Sequence, residues 1–195
     1  MLMCGNDNFV GRGVSEFLKS KDVPIKIFRR EEMISQSSLY RHHTMLFNII
    51  DNGQSCADFV DFLNKNRFKV YDNNIVIITD SLVAKLCVEL LYVDKVIVLT
   101  EKSPLRDFNQ IASLLQGPGH HRVFRSQKRL TDREQQILSL LVGGYNAKEI
   151  SELVNLNYKT IQTHKMKIVL KLGLTNSADL NKLIVRFNHS LSFLP

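Results

Sequence analysis

Lys159, Thr163 and Met166 stand four and three residues apart, with Gln162 and Lys167 beside them. Together they offer cations, an amide, a hydroxyl and apolar methyls. None of these is a catalytic set, but each has a partner on duplex nucleic acid. Ammonium groups attract phosphates, a carboxamide can pair with adenine through two hydrogen bonds, and Thr and Met methyls pack on a thymine methyl. The spacing makes one surface of them only if the segment is helical. At about 100° per residue Ile161, Ile168 and Leu172 fall on one narrow stripe that must face a core, and Lys159, Thr163 and Met166 point the opposite way. A helix from about Tyr158 to Leu172 is therefore expected, with its polar face free to meet a ligand.

Other chemistries have less support. Cys4, Cys56 and Cys87 are widely separated, odd in number and free of CxxC spacing, which argues against a disulfide framework or a zinc site. No glycine-rich phosphate loop follows a strand, and no nucleophile sits in a recognisable elbow, so an enzyme is not expected, nor a metal or other cofactor. Charge points to a polyanionic partner instead. The formal net charge is +7, yet residues 1–116 hold 14 basic and 14 acidic side chains, whereas residues 117–195 hold 12 and 5. A neutral regulatory domain joined to a nucleic-acid-binding domain gives this asymmetry, and so does a solvated basic tail. No apolar run approaches the roughly 20 residues needed to cross a bilayer. The start lacks the pattern of a secretory signal, so a cytoplasmic protein without membrane partners is expected.

The elements that must position these residues come in two blocks. Short apolar runs at 1–4, 25–28, 45–50, 75–78 and 96–99 have strand character, and helical spacing fills the intervals at 9–18, 57–63, 82–91 and 108–115. A further helix is expected between Glu31 and His43. Such alternation predicts an α/β fold with a doubly wound parallel sheet over residues 1–116. Gly117-Pro118-Gly119 breaks helix and strand alike, and residues 117–129 are read as a linker. Beyond it four helices are punctuated by polar starts. Thr131 with Glu134, and Asn146 with Glu149, have capping-box spacing, and Asn157 and Asn176 serve as the other two N-caps. Gly143-Gly144 supplies the backbone freedom to end the first of them.

The stretch LTDREQQILSLLVGGYNAKEISELVNLNYKTIQTHKMKIVLKLGLTNSADL resembles the DNA-binding domain of the LuxR/FixJ family, also called the NarL type. Leu130, Thr131, Arg133, Glu134, Gly144, Lys148, Glu149, Ile150, Thr160, Ile161, His164, Lys171 and Gly173 carry the match in order and spacing. The resemblance implies a four-helix helix-turn-helix domain over 130–195 that binds double-stranded DNA, with its third helix in the major groove. It assigns base contacts to Gln162, Thr163 and Met166. Relatives often carry Lys where this chain has Gln162 and Met166, which alters the expected target. Lys148, Lys159, Thr160, His164, Lys165 and Lys167 are then candidates for phosphate contacts. The resemblance also implies that the last helix pairs two copies through Leu180, Leu183, Ile184 and Phe187, although the same spacing suits closing the domain's own core.

Residues 1–116 resemble, less strongly, the receiver domain of response regulators, through NFVGRGVSEFL as a first helix and Thr79 as the switch hydroxyl. Phosphorylation there needs an acidic pair for Mg²⁺, an acceptor Asp and a Lys. These positions fall on Gly5 and Asn6, on Asn48 and on Thr100, with Asp7, Asp51 and Lys102 as displaced substitutes. The reading is a sequence-specific bacterial transcription regulator, activator or repressor, homodimeric and independent of phosphorylation. Its alternatives are an auxiliary subunit that heterodimerises with another LuxR-type regulator, and a phosphorylation-controlled response regulator.

Overall fold

The computed structural model describes residues 1–4, 8–35, 44–50, 55–93, 95–116 and 129–189. Five parallel strands, β1 (Leu2–Cys4), β2 (Lys26–Ile27), β3 (Thr44–Asn48), β4 (Asn74–Thr79) and β5 (Val96–Thr100), form one sheet in the order β2-β1-β3-β4-β5. The order reverses at β1, as in doubly wound folds, so the crevice beyond the carboxyl ends of β1 and β3 is the topological switch point. The register pairs Leu2 with Met45 and Met45 with Ile75, and it carries Ile75 onto Val96.

Helices cover both faces of the sheet, which is why β3 and β4 are apolar almost throughout. Side chains alternate along each strand, so Met3, Leu46, Val76 and Ile78 meet α1 (Phe9–Lys19) and α6 (Leu105–Gln116) through Val14, Leu18 and Ile111. Met45, Phe47, Ile75 and Ile77 face the other way, onto α3 (Cys56–Lys65) and α5 (Ala84–Leu90) through Phe59, Leu63 and Leu86. Two short helices complete the layer, α2 (Arg30–Ser35) and α4 (Arg67–Val70). The helix expected between Glu31 and His43 is seen as α2, and its remainder lies outside the described residues. The one-turn α4 was not expected, since four residues are too few to show a period.

The second block is helical: α7 (Asp132–Val142), α8 (Ala147–Leu153), α9 (Tyr158–Lys171) and α10 (Ser177–Asn188). Each expected cap forms. Thr131 and Asn146 head complete capping boxes with Glu134 and Glu149, Asn157 accepts from the Lys159 N–H, and Asn176 accepts from the Ala178 and Asp179 N–H groups. Of the glycine pair after α7, Gly144 takes the left-handed conformation, at φ +89°. That turn lets the Tyr145 N–H reach the Leu140 carbonyl at 3.1 Å and the Gly144 N–H reach Leu141 at 3.1 Å, a Schellman closure.

The two blocks share one core. Buried residues of α3 and α5 form a single cluster with Leu130, Ile137, Leu138, Ile161, Ile168, Leu172 and Leu180 of the helical block. Polar ties reinforce the seam. Both carboxylate oxygens of Glu89, which is 2% exposed, accept backbone N–H groups, from Arg129 at 2.7 Å and Leu130 at 3.2 Å. Lys85 Nζ donates to the Leu172 carbonyl at 2.7 Å, and Arg186 bonds Asp80 at 2.7 Å. Residues 117–128 of the expected linker lie outside the described residues.

Of the two uses the sequence leaves open for the last helix, the single chain shows the closing of its own core. Leu180, Leu183, Ile184 and Phe187 are all buried within the chain, where α10 packs against α3, α7 and α9. The physical reason is that a four-residue apolar stripe on a short helix is what this domain needs to close its own core, and α3 covers the rest. The same spacing serves an intermolecular seam, so the sequence could not separate the two.

Candidate nucleic-acid interface

Three contacts fix α9 in the domain. Its inner stripe, Ile161, Ile168 and Val169, is fully buried, and Leu172 is nearly so. At its carboxyl end Lys171 Nζ meets Glu134 Oε2 at 2.6 Å, joining the end of α9 to the start of α7. The Glu134 carboxyl is penalised by burial. That effect is outweighed by the hydrogen bond and charge of Lys171 and by the Thr131 N–H and hydroxyl, so it is held below the ordinary glutamate range. Ahead of α9, the Arg133 guanidinium donates to the Val154 carbonyl at 2.9 Å and to Gln136 at 2.6 Å, pinning the α8–α9 turn to α7. In that turn Asn155 adopts φ +51°, a left-handed position that Asn tolerates well. α8 and α9 therefore form a helix-turn-helix whose second member is held at both ends.

The outward face of α9 carries the residues expected to recognise DNA. Lys159, Thr163, Met166 and Lys167 are exposed, and Gln162 and Lys165 are half-buried. Thr163 Oγ1 donates to its own helix, to the Lys159 carbonyl at 3.0 Å, which leaves its methyl and the acceptor lone pairs of its hydroxyl to present. Gln162 Nε2 donates to the Tyr158 hydroxyl at 2.7 Å. Ser177 Oγ lies 3.8 Å from Met166 Sδ. Among the described residues no carboxylate pairs with Lys148, Lys159, Lys165 or Lys167, in contrast to Lys171.

Lys148 and Lys165 both line an open groove of about 910 Å³ between the start of α8, the first two turns of α9 and α10. Tyr145, Asn146, Tyr158, Gln162 and Asn181 line it, above Leu141, Ile184 and Val185. Thr160 is half-buried at the first turn of α9. His164 fits its assigned role less well. The ring is half-buried and its Nδ1 is covered without a hydrogen-bond partner, so only Nε2 is left for a phosphate. Tyr145, Tyr158 and Asn181 were missed at the sequence level. The Tyr158-Gln162 spacing of one helical turn was the available signal for Tyr158.

In the α/β block the position expected for a phosphoacceptor, Asn48, carries a carboxamide. Asn48 ends β3, is 2% exposed, and donates from Nδ2 to Asn8 Oδ1 at 2.9 Å while its Oδ1 accepts the Ile50 N–H at 3.3 Å. Asn8 caps α1 and donates to the Ile50 carbonyl at 2.6 Å. Thr79 is buried at the end of β4, 3.8 Å from Cys56 Sγ, and Thr100 ends β5 with its N–H bonded to Ser103. Lys102 lies in the exposed turn after β5. Gly5, Asn6, Asp7 and Asp51 lie outside the described residues. No group of three or more potential metal ligands occurs among the described residues, and no described helix is long and apolar enough to cross a membrane.

Residues 128–184 match the model of the family described as bacterial regulatory proteins, luxR family. Over 57 residues the chain is 40% identical to the transcriptional regulatory protein TdiR of Thauera aromatica, covering 29% of this chain and 25% of TdiR. It is 36% identical over 63 residues to the uncharacterized response regulatory protein YgeK of Escherichia coli K12, covering 32% and 43%. The matches thus span between a quarter and under a half of these curated relatives. Among solved structures, the response regulator RcsB in complex with DNA aligns over 95% of this chain and 96% of its own, with TM-score 0.51 and 17% identity. RcsB from Salmonella enterica serovar Typhimurium on promoter rprA aligns over 94% and 96%, with TM-score 0.52 and 17% identity. At such identity the likeness speaks for the fold, a receiver-like sheet followed by helices. Residues 128–184 are thus similar to the luxR family of bacterial regulatory proteins, and they follow an α/β domain with a receiver-like fold.

Proposed function

We propose that the chain is a sequence-specific DNA-binding transcription regulator whose α9 enters the major groove. The observation that carries this reading is the outward face of α9, where exposed Lys159, Thr163, Met166 and Lys167 stand opposite a fully buried stripe. Gln162, Thr163 and Met166 read base edges in this proposal. Lys148, Lys159, Thr160, Lys165 and Lys167 hold phosphates, with His164 contributing through Nε2. Phosphate contacts fix the register, and base contacts select the sequence.

Control is proposed to be independent of phosphorylation, because the end of β3 presents the engaged Asn48 carboxamide in place of an acceptor carboxylate. Binding as a homodimer is proposed from the likeness in fold to RcsB, two dimers of which have been solved bound to DNA. Pairing through α10 then demands that this helix leave α3, since its apolar residues are buried there.

Selection of random and genomic duplexes by the full chain across a salt series tests the proposal. Enrichment of a two-fold symmetric site is expected, unchanged by acetyl phosphate, lost with Lys165→Glu and altered in sequence with Thr163→Ala. Weak, sequence-blind binding that disappears near physiological salt overturns autonomous readout and favours an auxiliary subunit that needs another LuxR-type regulator.

A further inference from the structure

We infer that Tyr158 is a specificity-positioning residue, whose hydroxyl fixes the Gln162 carboxamide in the orientation that reads adenine. The inference rests on the DNA-reading role proposed for α9. Tyr158 opens the helix and Gln162 follows one turn later, so their side chains share one side. Gln162 Nε2 donates to the Tyr158 hydroxyl at 2.7 Å. A carboxamide has two N–H donors and one carbonyl, and adenine in the major groove uses one N–H at its N7 and the carbonyl at its N6 amino group. Tyr158 occupies the remaining N–H. The pair therefore takes nothing adenine requires, and with the hydroxyl's own proton given to a phosphate or to water it fixes the rotation that would otherwise exchange donor and acceptor.

Fixing that rotation discriminates between purines. Guanine presents two acceptors on its major-groove edge, N7 and O6, so a carboxamide held with its oxygen beside its N–H meets guanine with one oxygen facing another. A freely turning amide can relieve that repulsion, and a tethered one cannot. The neighbouring readers are tied by the chain as well, Thr163 through the Lys159 carbonyl and Met166 through Ser177. A surface ordered before it binds loses less freedom on binding, which favours a single geometry of readout.

The test uses the full chain and a duplex taken from the selection described above, with each adenine replaced in turn by 7-deazaadenine, which lacks the N7 acceptor. Wild type is expected to lose affinity at one adenine per half-site, and Gln162→Ala to become indifferent there. With Tyr158→Phe the penalty at that adenine is expected to shrink by a factor of about two to ten, the range of one ordinary hydrogen bond. Affinity for a scrambled duplex and the salt slope should stay at wild-type values. If Gln162→Ala relaxes the penalty while Tyr158→Phe keeps it whole, the positioning role is overturned and base reading by Gln162 stands. A Tyr158→Phe protein that weakens equally on every sequence makes the hydroxyl a backbone contact and also overturns it. A wild-type penalty retained by Gln162→Ala at every adenine overturns the base-reading assignment, and this inference with it.

Discussion

At the residue scale the interface separates cations that hold the protein together from cations available to a polyanion. Lys171 and Arg186 are committed, to Glu134 and Asp80. Lys159 stands exposed on the first turn of α9 with Thr163 Oγ1 bonded to its carbonyl, so its ammonium is the part of the residue that remains free for a ligand. Each phosphate neutralised by such a group releases condensed counterions, which makes affinity fall with salt at a slope set by the number of contacts. Lys159→Ala is therefore expected to reduce the slope of log affinity against log salt by about one unit, while leaving the preferred sequence unchanged. Binding titrations at four or five salt concentrations check it. An altered sequence preference with an unchanged slope would assign Lys159 to base reading.

At the element scale the orientation of α9 depends on α7, because Glu134 both completes the cap of α7 and anchors Lys171 at the far end of α9. One carboxylate thus sets a helix start and a helix–helix angle. Its depressed pKa makes that arrangement pH-dependent. A carboxyl whose folded value lies below its unfolded value, about 4.3 for glutamate, contributes stability that is fully present above the unfolded value and is lost as pH falls through the folded one. The gap in thermal stability between wild type and Glu134→Gln is expected to be widest near neutral pH and to close on acidification below about pH 4. Thermal melts of both proteins at several pH values measure it. A gap that is independent of pH would mean that packing, and not charge, carries the contribution.

At the scale of the whole molecule the helical block is docked on α3 and α5 with the polar face of α9 turned outward and the apolar stripe of α10 turned in. Under the proposed function DNA contact and self-association are thereby separated, since the docked form leaves the outward face of α9 open and covers the apolar stripe of α10. Glu89 is central to the seam, since Glu89→Ala strips partners from two backbone N–H groups, one of them buried. Leaving such groups unmade costs about 1–3 kcal/mol each. Glu89→Ala is expected to loosen the docking, enlarge the radius of gyration in small-angle scattering and raise the dimer fraction in sedimentation. An expanded particle that stays monomeric would exclude α10 as the pairing surface.

Much of this was legible in the chain because it rests on local rules. The strand and helix alternation, the four N-caps of the helical block and the inner stripe of α9 all follow from periodicity and capping chemistry, which act within a few residues. The identity of the exposed α9 residues was equally local, since burying Ile161, Ile168 and Leu172 dictates what faces outward. Tertiary structure decided what local rules leave degenerate. The apolar stripe of Leu180, Leu183, Ile184 and Phe187 satisfies an intramolecular core and an intermolecular seam alike, and only the position of α3 assigns it. His164 looked free to bind phosphate until packing covered its Nδ1. Glu89 carries no motif at all. Its role exists only because residues 40 positions apart meet where burial leaves two backbone N–H groups in need of an acceptor.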